Sequence, residues 1–174
     1  MIDNYESLPD HMVFLHSLRY QWHNEDPMYD GLSMLKRLRL SHLDEVGYAS
    51  LRCTFALGCP SELRNLRGGN GEQMETEMVF LSSFKEMYPE LPEPDIVGAP
   101  CCAQFAVSRA QVLRRPRDDY RRYLQWLWDT QLDDQIAGRV MEYTWHSKLI
   151  CYSTTSASRL YLGGHPAYKM IPQS

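Results

Sequence analysis

The sequence predicts a single α/β domain: a small mixed sheet flanked by about four to five helices in a three-layer arrangement. Three observations predict it. The chain has 174 residues, the size of one domain. Two apolar runs, Met12 to His16 and Cys101 to Val107, have the length and continuity of strands buried on both faces. Three further stretches, at 32–46, 74–88 and 118–128, repeat apolar residues with a helical period.

Taken in order, residues 1–8 read as the end of a helix stopped by Pro9, and the first strand follows at Met12. Ser17 to Gly31 is polar and aromatic without period, which makes it a long loop at a strand end, where sites are commonly placed. Leu32, Leu35, Leu38, Leu43 and Val46 mark one amphipathic helix closed by Gly47. Tyr48 to Phe55 is extended and carries Arg52, and Gly58-Cys59-Pro60 and Gly68-Gly69-Asn70-Gly71 are a turn and a connector. The next helix aligns Met78, Leu81, Phe84 and Tyr88 and ends at Pro89. Ile96 to Ala99 precedes the second apolar run, read as a central strand, after which Ser108 caps a short helix. Tyr120, Tyr123, Leu124, Leu127 and Trp128 form a core-facing stripe, and Asp133 or Asp134 caps a last helix reaching about Ser147. Residues 1–150 form the domain, and residues 151–174 are expected to be an irregular tail.

Composition excludes several classes. A hydrophobic share of 44% is enough for a proper core, and a net charge of −4 with a pI near 5.8 leaves no nucleic-acid footprint. No apolar run approaches the roughly 18 residues of a membrane span, so a cytoplasmic, soluble protein is expected. The basic runs Lys36, Arg37, Arg39 and Arg114, Arg115, Arg117, Arg121, Arg122 are expected to be solvated faces. Five cysteines, an odd number without a secretory leader, point to reduced thiols, with Cys101 and Cys102 as small core residues.

Three segments concentrate chemistry. His16, Arg19, Trp22 and His23 share one loop, and imidazoles there suit acid–base work or metal ligation because they titrate near neutrality. Gln104 sits inside an apolar strand, so its amide needs a partner or a cavity; Arg109 opposes the helix dipole and suits either an anionic ligand or a buried acid. Glu142 and His146, four residues apart on one helix face beside Trp145, form either an internal ion pair or a proton relay. His16, His23, Glu142 and His146 are the candidate catalytic residues, and the set that would hold a metal if one is bound. Arg19, Trp22, Gln104, Arg109 and Trp145 are the candidate substrate-binding residues.

Together with Leu51-Arg52-Cys53 and Gly58-Cys59-Pro60, the strings Cys101-Cys102-Ala103-Gln104-Phe105 and Val140-Met141-Glu142-Tyr143-x-Trp145-His146 resemble the fungal family known as domain of unknown function 3431. The resemblance runs to about Ile150 and implies a remote likeness to nucleotide-sugar glycosyltransferases, carried by Gln104, Phe105, Ser108 and Arg109. It also implies a further N-terminal segment in full-length members, so that this chain starts after the first strand of a truncated glycosyltransferase-like fold. No Asp-x-Asp metal motif is present; the nearest acidic pair is Glu25-Asp26. Two functions are expected: group transfer on a small-molecule substrate, including tailoring or cyclising steps of secondary metabolism, or non-catalytic ligand binding. No cofactor is identified, and an unpaired sheet edge favours a homodimer.

Overall fold

The computed structural model describes residues 1–52, 63, 64, 66, 68, 74–149 and 159–161, with side chains as far as residue 145. The Gly58-Cys59-Pro60 turn, Cys53, Cys151, most of the glycine-rich connector and most of the tail lie outside the described residues. A short 3-10 turn, Tyr5–Ser7, opens the chain and is followed by β1 (His11–Phe14), α1 (Gly31–Lys36), α2 (Leu40–Val46) and β2 (Tyr48–Ser50). Then come α3 (Glu75–Met87), β3 (Ile96–Gly98), β4 (Phe105–Ser108), α4 (Arg109–Val112), α5 (Arg117–Asp129), α6 (Asp134–Leu149) and β5 (Arg159–Tyr161). The fold is mixed α/β, as its sequence periods predict.

The described strands form a three-stranded antiparallel sheet in the order β1-β4-β2 and a parallel pair, β3 with β5, the latter lying within the stretch expected to be irregular. β4 is central, with Phe14 and Ser50 both opposite Phe105, and all four of its residues are buried. The first apolar run behaves differently from expectation. It lies at the edge, with Val13, Phe14 and Leu15 between 36% and 44% exposed. Phe14 uses one face of its ring, stacking on Phe105 at 4.7 Å. A run of apolar residues is compatible with either position, because the second neighbour that decides burial is set by topology.

The helix expected over 32–46 is two helices. Asp30 caps α1 by accepting from the Leu32 N–H, and Arg39 is extended, with φ −96° and ψ 107°. The break lets the Arg37 guanidinium donate to the Glu25 carbonyl at 2.6 Å and to Asp26 at 3.2 Å, tying the helix to the loop before it. Gly47 closes α2 with φ 77°, a left-handed backbone that favours glycine, and a Cβ there would also crowd the Gln111 side chain.

Helices α3 and α5 exist where their periods place them; Phe84, Tyr88, Tyr120 and Tyr123 are buried as expected, but the inward stripe is rotated away from Met78, Leu127 and Trp128. On α3 the buried side chains are Phe80, Phe84 and Met87, while Met78 is 60% exposed. On α5 they are Tyr120, Tyr123 and Trp126, while Trp128 is 70% exposed. The polar ends of the aromatic residues favour this rotation: Tyr120 Oη donates to the Val112 carbonyl at 2.9 Å and Trp126 Nε1 to Glu86 at 2.8 Å. Rings that satisfy their polar atoms bury without an unmatched donor; Trp128 has no such partner among the described residues. The basic run near α5 is also partly structural, since Arg115 is buried beside Asp119 and Glu90. Helix α6, capped by Asp133 through the Ile136 N–H, packs on α3 and buries Val140, Met141, Tyr143 and Thr144. Phe80, Phe84, Tyr88, Phe105 and Val140 meet in one core, where each buried phenyl ring contributes about 2–3 kcal/mol.

Candidate functional site

Between β3 and β4 the chain makes a turn at Cys101–Gln104. Its backbone is unusual, with Cys102 at φ 85° and Ala103 at φ 45°, both in the left-handed region without being glycine. Each such residue costs about 1–3 kcal/mol, held in place only by surrounding contacts. Those contacts come from distant parts of the chain. Glu142 Oε1, on α6, accepts the Cys102 N–H in a short hydrogen bond. His16 Nε2, in the loop after β1, donates to the Cys102 carbonyl at 2.8 Å. A carbonyl only accepts, so this imidazole carries its proton on Nε2.

Gln104 is the hub beneath the turn. It is 2% exposed; its Oε1 accepts from the His16 N–H at 3.2 Å, and its Nε2 donates to the His23 carbonyl at 3.1 Å and to Asn24 Oδ1 at 3.3 Å. Gln104 thus lies at the end of the turn, just before β4 and not inside a strand as expected, and its buried amide is fully used. Asn24 in turn donates to the Arg19 and Tyr29 carbonyls at 2.7 and 2.8 Å, which closes the loop on itself.

The imidazoles of His16 and His23 stack with centroids 4.3 Å apart, and Trp22 lies 4.0 Å from His23. Burial lowers the His23 pKa from its ordinary value, and the neighbouring His16 and Arg52 lower it further. His23 Nδ1 lies 3.3 Å from Gln21 Oε1, an acceptor, which leaves Nε2 as the free base. Arg52 lies 5.1 Å over the Trp22 ring and donates from one terminal nitrogen to the sulfurs of Cys101 and Cys102, 3.3 Å to each. Its Nε is buried with no hydrogen-bond partner. Against expectation, Cys101 and Cys102 are joined as a vicinal disulfide on a turn rather than lying reduced in a strand. A residue count cannot report the backbone kink that brings two adjacent sulfurs together.

Beside the turn, Tyr48, Ser50, Ala99, Pro100, Ala103, Gln104, Glu142 and Trp145 line a hollow. The Trp145 ring packs at a tilt against Phe105, a core residue, with centroids 5.3 Å apart. Of the residues singled out from sequence, Gln104, Glu142 and Trp145 therefore share one cavity. His16, His23 and Trp22 join the same turn without lining the hollow. The side chain of His146 lies outside the described residues.

Two residues stand apart. Arg109 is at the opposite end of β4, paired with Asp10 at 3.0 Å and donating to the Leu8 carbonyl, so its partner is an acid of its own chain. Arg19 is locked two-pronged onto Asp30 at 2.8 and 2.9 Å, which, with backbone donors, holds the Asp30 carboxyl down at about 2. Among the described residues the histidines do not join Glu142 as a cluster of metal ligands. Sequence reasoning missed Asn24 and did not place Arg52 in the site. The only trace of Arg52 is a charged residue inside a short extended segment, and Asn24 leaves none in a loop of polar residues.

No curated protein and no solved structure compared with the chain matches it. One family does match: residues 1–156 fit the family described as protein of unknown function (DUF3431), nearly the whole described domain and every residue of the site above, and the chain belongs to that family.

Proposed function

We propose that the chain is an enzyme that transfers a group onto a small polar metabolite bound in the hollow of Gln104, Glu142 and Trp145. One observation carries this reading: a carboxylate anchored through one oxygen to a strained turn shares a hollow with an indole and a buried amide. Anchoring through Oε1 leaves Oε2 to take the proton of an acceptor hydroxyl as that oxygen attacks the transferred carbon and the donor's leaving group, a nucleoside diphosphate for a nucleotide sugar, departs with the electron pair of the broken C–O bond. Trp145, Tyr48 and Ser50 border the hollow, which is small and takes one polar group of a ligand whose remainder lies outside it. The neutral imidazole of His23, held by stacking, is the second acid–base group of the neighbourhood. Glycosyl transfer from a nucleotide sugar is the first reaction class to test, with cyclising or tailoring steps next.

A thermal-shift screen of nucleotide sugars against the wild type and Glu142→Gln tests it. A stabilising donor, whose sugar is released or transferred by wild type and at least a hundredfold more slowly by Glu142→Gln, is expected. Stabilisation with equal turnover in both proteins would overturn the role of Glu142. A second reading, a non-catalytic binding module, is favoured by one observation: Gln104 already satisfies its amide within the protein. Binding without turnover in any donor class supports that module. We extend the proposal to a homodimer formed along β1, which among the described residues has no strand on its outer side and leaves Val13 and Leu15 exposed. Light scattering at micromolar concentration is expected to give twice the 20.3 kDa chain mass, and the single chain mass would contradict it.

A further inference from the structure

We propose that Cys101, Cys102 and Glu142 form a reduction-gated site for a soft divalent cation of the zinc class. One sulfur from each cysteine and one carboxylate oxygen lie within 4.8 Å of one another. Two thiolates and a carboxylate are a donor set that zinc accepts, and three protein ligands leave a fourth, tetrahedral position for water or a substrate atom. The Cys102 N–H holds Glu142 in orientation, as outer-shell donors do for carboxylate ligands.

Charge points the same way. The Arg52 guanidinium sits 3.3 Å from both sulfurs, where a fixed positive charge favours thiolate over thiol. Reduction adds two thiolate charges beside Glu142, while Arg52 is already shared with Glu25, whose carboxylate lies 3.8 Å from its Nε. The reduced site therefore carries a negative surplus that a dication offsets, and the oxidised site lacks the two thiolate charges. Cys102 is buried and Cys101 half-buried, so the site has one open side. Both sulfurs face the same Arg52 nitrogen, so they lie on one side of the turn.

The disulfide takes two electrons and two protons from two equivalents of a thiol reductant, which leave as their own disulfide. The cation then displaces the two protons from the cysteines. This inference does not depend on group transfer, since binding is read without substrate.

The test reduces the full chain with a phosphine, removes it, and titrates cobalt and then zinc. Wild type, Cys101→Ser/Cys102→Ser and Glu142→Gln are compared, with far-UV circular dichroism confirming that each is folded. The reduced wild type is expected to bind one equivalent of cobalt with a thiolate-to-cobalt absorption band, and the oxidised protein none. The double serine variant is expected to lose the band, and Glu142→Gln to bind about tenfold or more weakly. A band that persists in the double variant would assign the metal to Cys53, Cys59 or Cys151 and overturn the site. A folded, reduced wild type without a band overturns it equally, and unchanged affinity in Glu142→Gln removes the carboxylate from the ligand set.

Discussion

Replacing Gln104 by leucine tests the hub beneath the turn. The volume is nearly conserved, so the effect comes from three lost hydrogen bonds: from the His16 N–H at 3.2 Å, to the His23 carbonyl at 3.1 Å and to Asn24 Oδ1 at 3.3 Å. His16 and His23 are open enough for water to replace their bonds, which costs about 1 kcal/mol each. Asn24 is 4% exposed, and stranding its oxygen costs about 1–3 kcal/mol. Part of this is offset by the apolar surface leucine buries, which leaves a destabilisation of about 3 kcal/mol. For a domain of this size that is a melting-temperature fall of about 6–12 °C. Urea titration followed by circular dichroism gives the free energy, and a cycle with Asn24→Ala gives the coupling, expected at about 1 kcal/mol. A loss below about 1 kcal/mol, or additivity of the two substitutions, would refute the hub.

Two further predictions follow from the same geometry. His23 is expected to titrate below the ordinary value of about 6.5, chiefly through burial, and to move upward in His16→Gln, as read from its ring protons by NMR. Because the unfolded chain then holds the His23 proton at a higher pH than the folded one, this contribution to stability is complete above about pH 6.5 and is lost as pH falls. A His23 that titrates at or above 6.5 contradicts the crowding of His16 and Arg52. On α5, Trp126→Ala is expected to cost about 3–5 kcal/mol and Trp128→Ala no more than about 0.5 kcal/mol. A larger loss in Trp128→Ala than in Trp126→Ala would mean that the inward face of the helix is the sequence-predicted one.

Element type was legible where the signal is local. The helices at 74–88, at 118–128 and up to 147 follow from periodicity, and the Ser108, Asp133 and Gly47 boundaries from capping chemistry. The exact rotation of α5 was not, because it depends on tertiary partners such as Glu86, which meets the Trp126 indole from another helix. The break at Arg37 likewise depends on Glu25 and Asp26, residues outside the helix. At the site, Gln104 and Glu142 were legible as polar groups in apolar surroundings. Arg109 carried a similar signal, and its partner proved to be Asp10. Adjacent cysteines on a kinked turn, and Arg52 above them, are a product of backbone geometry that composition does not encode.

A small ligand is expected to touch the protein at the hollow beside the Cys101–Gln104 turn. Backbone-amide and indole NMR spectra, recorded with the most stabilising compound of the nucleotide-sugar screen, report this directly. The predicted result is that the largest shifts fall on Cys102, Gln104, Glu142 and the Trp145 indole, with Arg109 and α4 unmoved. Shifts confined to α4 and Asp10, with the Cys101–Gln104 turn silent, would contradict it.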